Sequence, residues 1–111
     1  VEGSNLPAMK VATQISSPAQ AIWLVPTEEF QLETYPNRGS WVQDVLRQYD
    51  QPADAMIAFE RWMERDASWA KLTAQQARQH HIPVITVDGK IPLMDNAETV
   101  MKHFGLIGLD A

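Results

Sequence analysis

The 111-residue sequence contains no cysteine. Disulfides, thiolate metal sites and cysteine catalysis are thereby excluded, and a reducing compartment fits. Its five glycines are scattered and nowhere form a "GxxxxGK[ST]" loop, so a glycine-rich phosphate cradle is absent from the sequence. Positive charge is also scarce: nine Lys and Arg stand against fourteen Asp and Glu, a formal net charge of -5. That balance excludes a general attraction to nucleic acid or to an anionic membrane, while a local basic spot can still hold a small phosphate. No apolar run approaches the ~20 residues of a membrane-spanning helix, and no segment resembles a signal peptide. The soluble cytoplasm is the default expectation.

What is present is ordinary globular composition, 45% hydrophobic and 21% charged, in a length that makes one domain with its own core. The chain opens on Val1, with "VEGS" reading as the end of a strand, and the expectation is a fragment or a processed piece. Pro7 can open a helix to about Val11. "SSPAQ" (16–20) is turn or linker. "AIWLVP" (21–26) is a short continuous apolar run, the pattern of a strand covered on both faces as in a parallel sheet. Thr27 can cap a short helix whose first turn carries Glu28 and Glu29, and "YPNRGS" (35–40) ends it. Ser40 is the expected cap of the next helix, in which Trp41, Val45 and Tyr49 recur at helical spacing, and Asp50 is the expected cap of the one after. From 53 to about 80 the rhythm is that of one long helix or two abutting ones. "IPVITVDG" (82–89) is a second strand closed by Asp-Gly. Asp95 or Asn96 should cap a last helix that Gly105 stops. The order of elements argues for an α/β fold, a partial parallel sheet flanked by helices, with residues 22–25 and 84–87 neighbours in it. Two or three strands are few for such a sheet. Ile22, Leu24, Phe59, Trp62, Val84, Ile85, Val87, Val100 and Phe104 are the expected core.

The chemistry-bearing residues are mainly arginines. Arg61 and Arg65 lie one helical turn apart, where like charges cost roughly 0.2–0.5 kcal/mol, and Arg38 follows a turn. Arginine stays charged and grips phosphate oxygens in pairs, so a phosphate between the first two would turn the cost into a gain. The plain alternative is that they are solvated charges paired with Glu60, Glu64 or Asp66. Asp66 itself falls on the apolar stripe between Trp62 and Trp69 and needs a partner; Arg38 is one, and the alternative is that Asp66 caps a restarted helix. Asp88, Gly89, Lys90, Ile91 and Pro92 lie past the carboxyl end of a strand, where open α/β sheets bind ligands, or they form a plain turn. Glu2 lies at another strand's end and could meet a magnesium-bound water or an acceptor hydroxyl. His80, His81 and His103 lack metal-site spacing and suit helix ends or surface. The four tryptophans read as core and lid packing rather than a base-stacking platform.

In order, "VEGSNLP", "AIWLVPTEEF", "YPNR", "RWMERD" and "IPVITVDGKIP" with the final helix resemble the carboxy-terminal half of a P-loop small-molecule kinase. The group is that of the nucleoside-monophosphate, shikimate and gluconate kinases. The resemblance implies a P-loop NTPase-like half-domain without its Walker A loop, with a lid-like helical region at about 36–80. It implies ATP and Mg2+ as cofactors of the complete enzyme only, and a small-molecule acceptor. Arg65 with Arg61 or Arg38 would be the clamp on the ATP phosphates, residues 88–92 the adenine edge, and Glu2 with Arg65 the catalytic positions. Because the phosphate loop is absent, this chain alone should not transfer phosphate, and a missing amino-terminal half or a second chain would complete it. "HHIPVITVDGK" also resembles the proline–strand–"DG" segment of thioredoxin-like folds, whose proline is cis; without cysteine such a domain would be a binding module. A structural subunit is the third reading.

Overall fold

The computed structural model describes residue 3, residues 6–37 and residues 39–106. In chain order these form α1 (Ala8–Ala12), a 3-10 turn (Pro18–Gln20), β1 (Trp23–Pro26), α2 (Glu28–Thr34) and a second 3-10 turn (Tyr35–Asn37). Next come α3 (Ser40–Leu46), α4 (Pro52–Gln79), β2 (Val84–Val87) and α5 (Leu93–His103). The strands pair in parallel, Trp23 opposite Val84, Leu24 opposite Ile85, Val25 opposite Thr86 and Pro26 opposite Val87. The α/β character and the parallel neighbours expected from the two apolar runs are both present.

Local chemistry explains most boundaries. Thr27 Oγ1 accepts from Phe30 N–H at 3.2 Å, so the expected cap of α2 forms. Three other caps differ from expectation. α3 starts at Ser40 itself, after Gly39, whose φ of +150° favours glycine. α4 starts after Gln51 with Pro52 in its first turn, where proline's missing N–H is harmless, so Asp50 caps nothing. α5 starts at Leu93, two residues before Asp95, and no side chain caps it. Its end is as expected. Gly105 (φ +72°) donates to Lys102 O at 3.0 Å and Leu106 to Met101 O at 2.8 Å, the paired bonds of a Schellman stop. α4 ends by the same geometry without a glycine: His81, at φ +61°, donates to Arg78 O and Ile82 to Ala77 O at 2.8 Å.

α4 is one uninterrupted helix, which at 1.5 Å per residue is ~42 Å long and longer than the sheet it covers. Its carboxyl half packs against β1, β2 and α1. Ala8, Ala21, Ala77 and Ile82 form the buried cluster there, with Val11, Ile15, Trp23 and Val84 against it. Met9 N–H donates to Gln76 Oε1 at 3.1 Å and so ties α1 to α4. Buried Gln31 of α2 meets Met63 Sδ at 3.8 Å, holding α2 to the middle of the long helix. His103 Nε2 lies 2.6 Å from Ala21 O and ties α5 to the start of β1.

None of the nine expected core residues is fully buried; Leu24 is 49% exposed and Phe104 43%. The expectation assumed a sheet closed on both faces. With two strands, the face carrying Trp23 and Val84 is covered, whereas Leu24, Pro26 and Val87 border a cleft of about 310 Å³ with Phe30 and Tyr35. The shape follows. The radius of gyration is 16.7 Å and the extents are 56 × 30 × 21 Å, against ~13 Å for a compact domain of this length. The accessible surface of 8208 Å² exceeds the ~6200 Å² of a compact monomer of the same mass.

Candidate functional site

An open groove of about 840 Å³ lies between α3 and the amino half of α4. Val42 of α3 is buried, and this turns Trp41 and Val45 outward, with Tyr49 of the following turn in line with them. They form one wall. Asp54, Ile57, Ala58, Arg61, Trp62 and Arg65 of α4 form the other. The floor is aromatic. Trp62 meets Tyr35 at 5.6 Å and Phe59 at 6.4 Å edge-on, and Trp41 at 5.7 Å tilted by 54°. Tyr35 also meets Trp41 edge-on at 6.4 Å. Such pairs contribute about 0.5–1.5 kcal/mol each beyond area burial, enough to hold the short α3 against α4.

The charges at the groove are unequally committed. Arg65 Nε and Nη2 both donate to Asp66 Oδ1, at 3.3 and 3.2 Å, and Tyr35 Oη donates to Asp66 Oδ2 at 3.1 Å. Asp66 is thus accommodated on its apolar stripe by a phenol and by the arginine beside it. Since α4 runs straight through, Asp66 caps no restarted helix. Arg65 is largely solvent-exposed, so this ion pair adds little to stability but does orient the guanidinium. Arg61 lines the same groove and pairs with no carboxylate among the described residues.

Arg61 and Arg65 are therefore brought together, as their spacing implied. Glu2 and Arg38 lie outside the described residues. The segment from Asp88 to Pro92 is not at the groove: it follows β2, where Lys90 N–H donates to Asp88 Oδ1 at 2.9 Å, an Asx turn. Gly89 there has φ +80°, and a Cβ on it would stand 2.8 Å from Phe30 Cδ2, so both backbone and neighbour demand glycine. Ile91 and Pro92 are exposed beyond it. The turn alternative describes this loop, and none of its residues lines the groove that holds Arg61 and Arg65. His80 and His81 end α4, and among the described residues no group of three or more His, Asp or Glu could hold a metal ion. The peptide bond before Pro83 is trans, as are all those described.

The sequence marks neither Trp41 nor Tyr49 as a site residue. Core and lid packing is the expectation for the tryptophans, and Trp41 is 48% exposed, with Tyr49 46% exposed. The signal was available: a helix of seven residues that buries Val42 leaves Trp41 and Val45 facing out. No protein-family model matches the chain, and neither a curated protein nor a solved structure matches it.

Proposed function

We propose that this chain supplies the arginine-bearing, lid-like part of an enzyme that transfers a phosphoryl group from ATP to a small molecule. The observation that carries the reading is Arg61 and Arg65 one turn apart on a single open groove, with Arg61 unpaired with any described carboxylate. Phosphoryl transfer depends chiefly on positive groups placed around the moving phosphate. Arg61 would bind phosphate oxygens in a bidentate manner. Arg65, held by Asp66 and through it by Tyr35, would swing to the same anion once a stronger acceptor than Asp66 is present. ATP, when bound, supplies the transferable phosphate. Magnesium finds no donor set among the described residues, so it would be held by the remainder of a complete enzyme.

A completing partner, a missing amino-terminal half or a second chain, is part of the proposal. It is supported by the open sheet face at Leu24 and by accessible surface in excess of a compact monomer. That excess, ~2000 Å², is more than the ~800 Å² that one partner gives to a standard interface. The same observation favours a second reading, a structural subunit whose exposed apolar surface is its whole purpose.

The test is calorimetric titration of the 111-residue chain and of Arg61→Ala with magnesium-ATP, beside a phosphate-release assay. Affinity near millimolar, about −4 kcal/mol, is expected for the wild type, with a clear loss in Arg61→Ala and no turnover by either. Equal heats from both proteins would leave the structural subunit as the better reading. Micromolar binding or turnover by the chain alone would mean that the phosphate site is built from other residues.

A further inference from the structure

Resting on the assignment of Arg61 to phosphate, we propose that the same groove reads the aromatic ring of a nucleoside phosphate, the ring stacking on Trp41 and Tyr49 and the phosphate on Arg61. Three observations converge on this ligand class. First, two aromatic side chains, Trp41 of α3 and Tyr49 beyond its end, stand about half exposed and both line the groove.

Second, the Trp41 ring is fixed. A Cβ on Gly39 would stand 3.0 Å from its Cδ1 and 3.2 Å from its Nε1, so glycine backbone abuts one edge, while Tyr35 and Trp62 pack against it from within. An indole held in place and half exposed is a preorganised stacking surface, and every base has a π-face to offer it.

Third, a cation faces the ring across the groove. Arg61 and Trp62 belong to the α4 wall, opposite Trp41, and the Trp62 ring lies 5.7 Å from that of Trp41. Arg61 pairs with no described carboxylate in a chain where acids outnumber bases.

The charges also set an orientation. Asp54 stands two turns before Arg61, roughly 10 Å along the helix. It repels phosphate and accepts from an amino group or a sugar hydroxyl, so base and sugar lie toward Asp54 and phosphate toward Arg61 and Arg65. An apolar helix laid in the groove would instead take Arg61 and Asp54 out of water unpaired.

The 88–92 loop, past the end of β2, takes no part. The ring is recognised at α3 instead.

The test is 1H–15N NMR titration of the full chain with AMP, adenosine and inorganic pyrophosphate into the millimolar range. The Trp41 indole resonance is assigned with Trp41→Phe, and the Arg61 side-chain resonance with Arg61→Gln. AMP should move both resonances, adenosine that of Trp41 alone, and pyrophosphate that of Arg61 alone. Tyr49→Ala, beyond the end of α3, should weaken AMP and adenosine about three- to tenfold and leave pyrophosphate unchanged. Pyrophosphate binding at Arg61, with Trp41 indifferent to AMP and adenosine, would overturn the stacking proposal and leave the phosphate assignment standing. Indifference of Arg61 to both AMP and pyrophosphate would overturn the two together. Groove resonances that move with protein concentration alone would overturn the proposal in favour of a second copy of the chain as the occupant.

Discussion

Between Met63 and Ala77, α4 turns Met63, Ala67, Thr73, Ala74 and Ala77 inward, and small side chains let α1 and the sheet approach closely. Between Asp54 and Trp62 the same helix buries nothing fully, and Met56 and Ile57 stand in solvent beside the groove. One half is closed by alanines and backbone bonds; the other is propped open by tryptophans and tyrosines. The amino half of α4 is therefore no separate hinged piece. It is the projecting end of a helix anchored in the core, so the arginines are carried on a rigid rod whose position the sheet sets. Flexibility, where a ligand needs it, resides in the Arg61 and Arg65 side chains.

The most damaging change should fall in the closed half. Ile82, 2% exposed, follows the αL residue that ends α4 and packs on Ala8, Ala21 and Ala77. Ile82→Ala should cost about 2–4 kcal/mol, transfer and cavity together, read as a lower urea midpoint at unchanged slope. A loss below about 1 kcal/mol would show that this end is looser than its packing implies and would erase the contrast.

The joint between the halves comes next. Tyr35→Phe removes the phenol's bond to the Asp66 carboxylate and should cost about 1–2 kcal/mol in thermal unfolding. Asp66→Asn should destabilise similarly, but it also removes the anion that holds Arg65. Pyrophosphate should then bind more tightly, by about threefold, as two free arginines replace one. An unchanged or weaker affinity would show that Arg65 never turns toward a ligand and that Arg61 acts alone.

The closed half was more legible in the sequence than the open one, and for a physical reason. Strand placement follows from β-branched runs bounded by proline and Asp-Gly, signals local to a few residues, and "AIWLVP" and "IPVITVDG" carried them. Helix stops at Gly105 and caps at Thr27 are equally local. Which apolar residues become buried is a property of how many layers form. Nothing in the periodicity of Leu24 or Phe104 records that two strands pair among the described residues. The same ambiguity hid the groove, since Trp41, Val45 and Tyr49 at helical spacing describe an apolar stripe whether it faces a core or solvent. Arg61 and Arg65 were legible as a pair from spacing alone. Arg65 is held by Asp66, its neighbour in sequence, but the phenol that shares this carboxylate comes from Tyr35, 31 residues away.

A small gain is expected at the hinge between α4 and β2. His81 occupies a left-handed position that a Cβ disfavours by about 1 kcal/mol, and its N–H makes the bond that a glycine there would keep. His81→Gly should therefore stabilise the chain by about 0.5–1 kcal/mol, with the glycine's greater unfolded-state entropy offsetting part of the relief. A destabilised variant would mean that the imidazole makes a contact worth more than the strain it imposes.

The smallest effect belongs to the counterpart of Ile82 in the open half. Ile57 is the same residue type, on the same side of the molecule's longest helix as the arginines, but 46% exposed at the groove. Truncating it to alanine removes apolar surface that water already half covers, at about 25 cal/mol per Å². Against that loss, alanine is the better helix former by a few tenths of a kcal/mol. The two nearly cancel, so Ile57→Ala should shift stability by no more than about 0.5 kcal/mol at any protein concentration. A larger cost that grows with concentration would show the groove closed by a second copy, and the contrast between the two halves of α4 would then belong to the isolated chain alone.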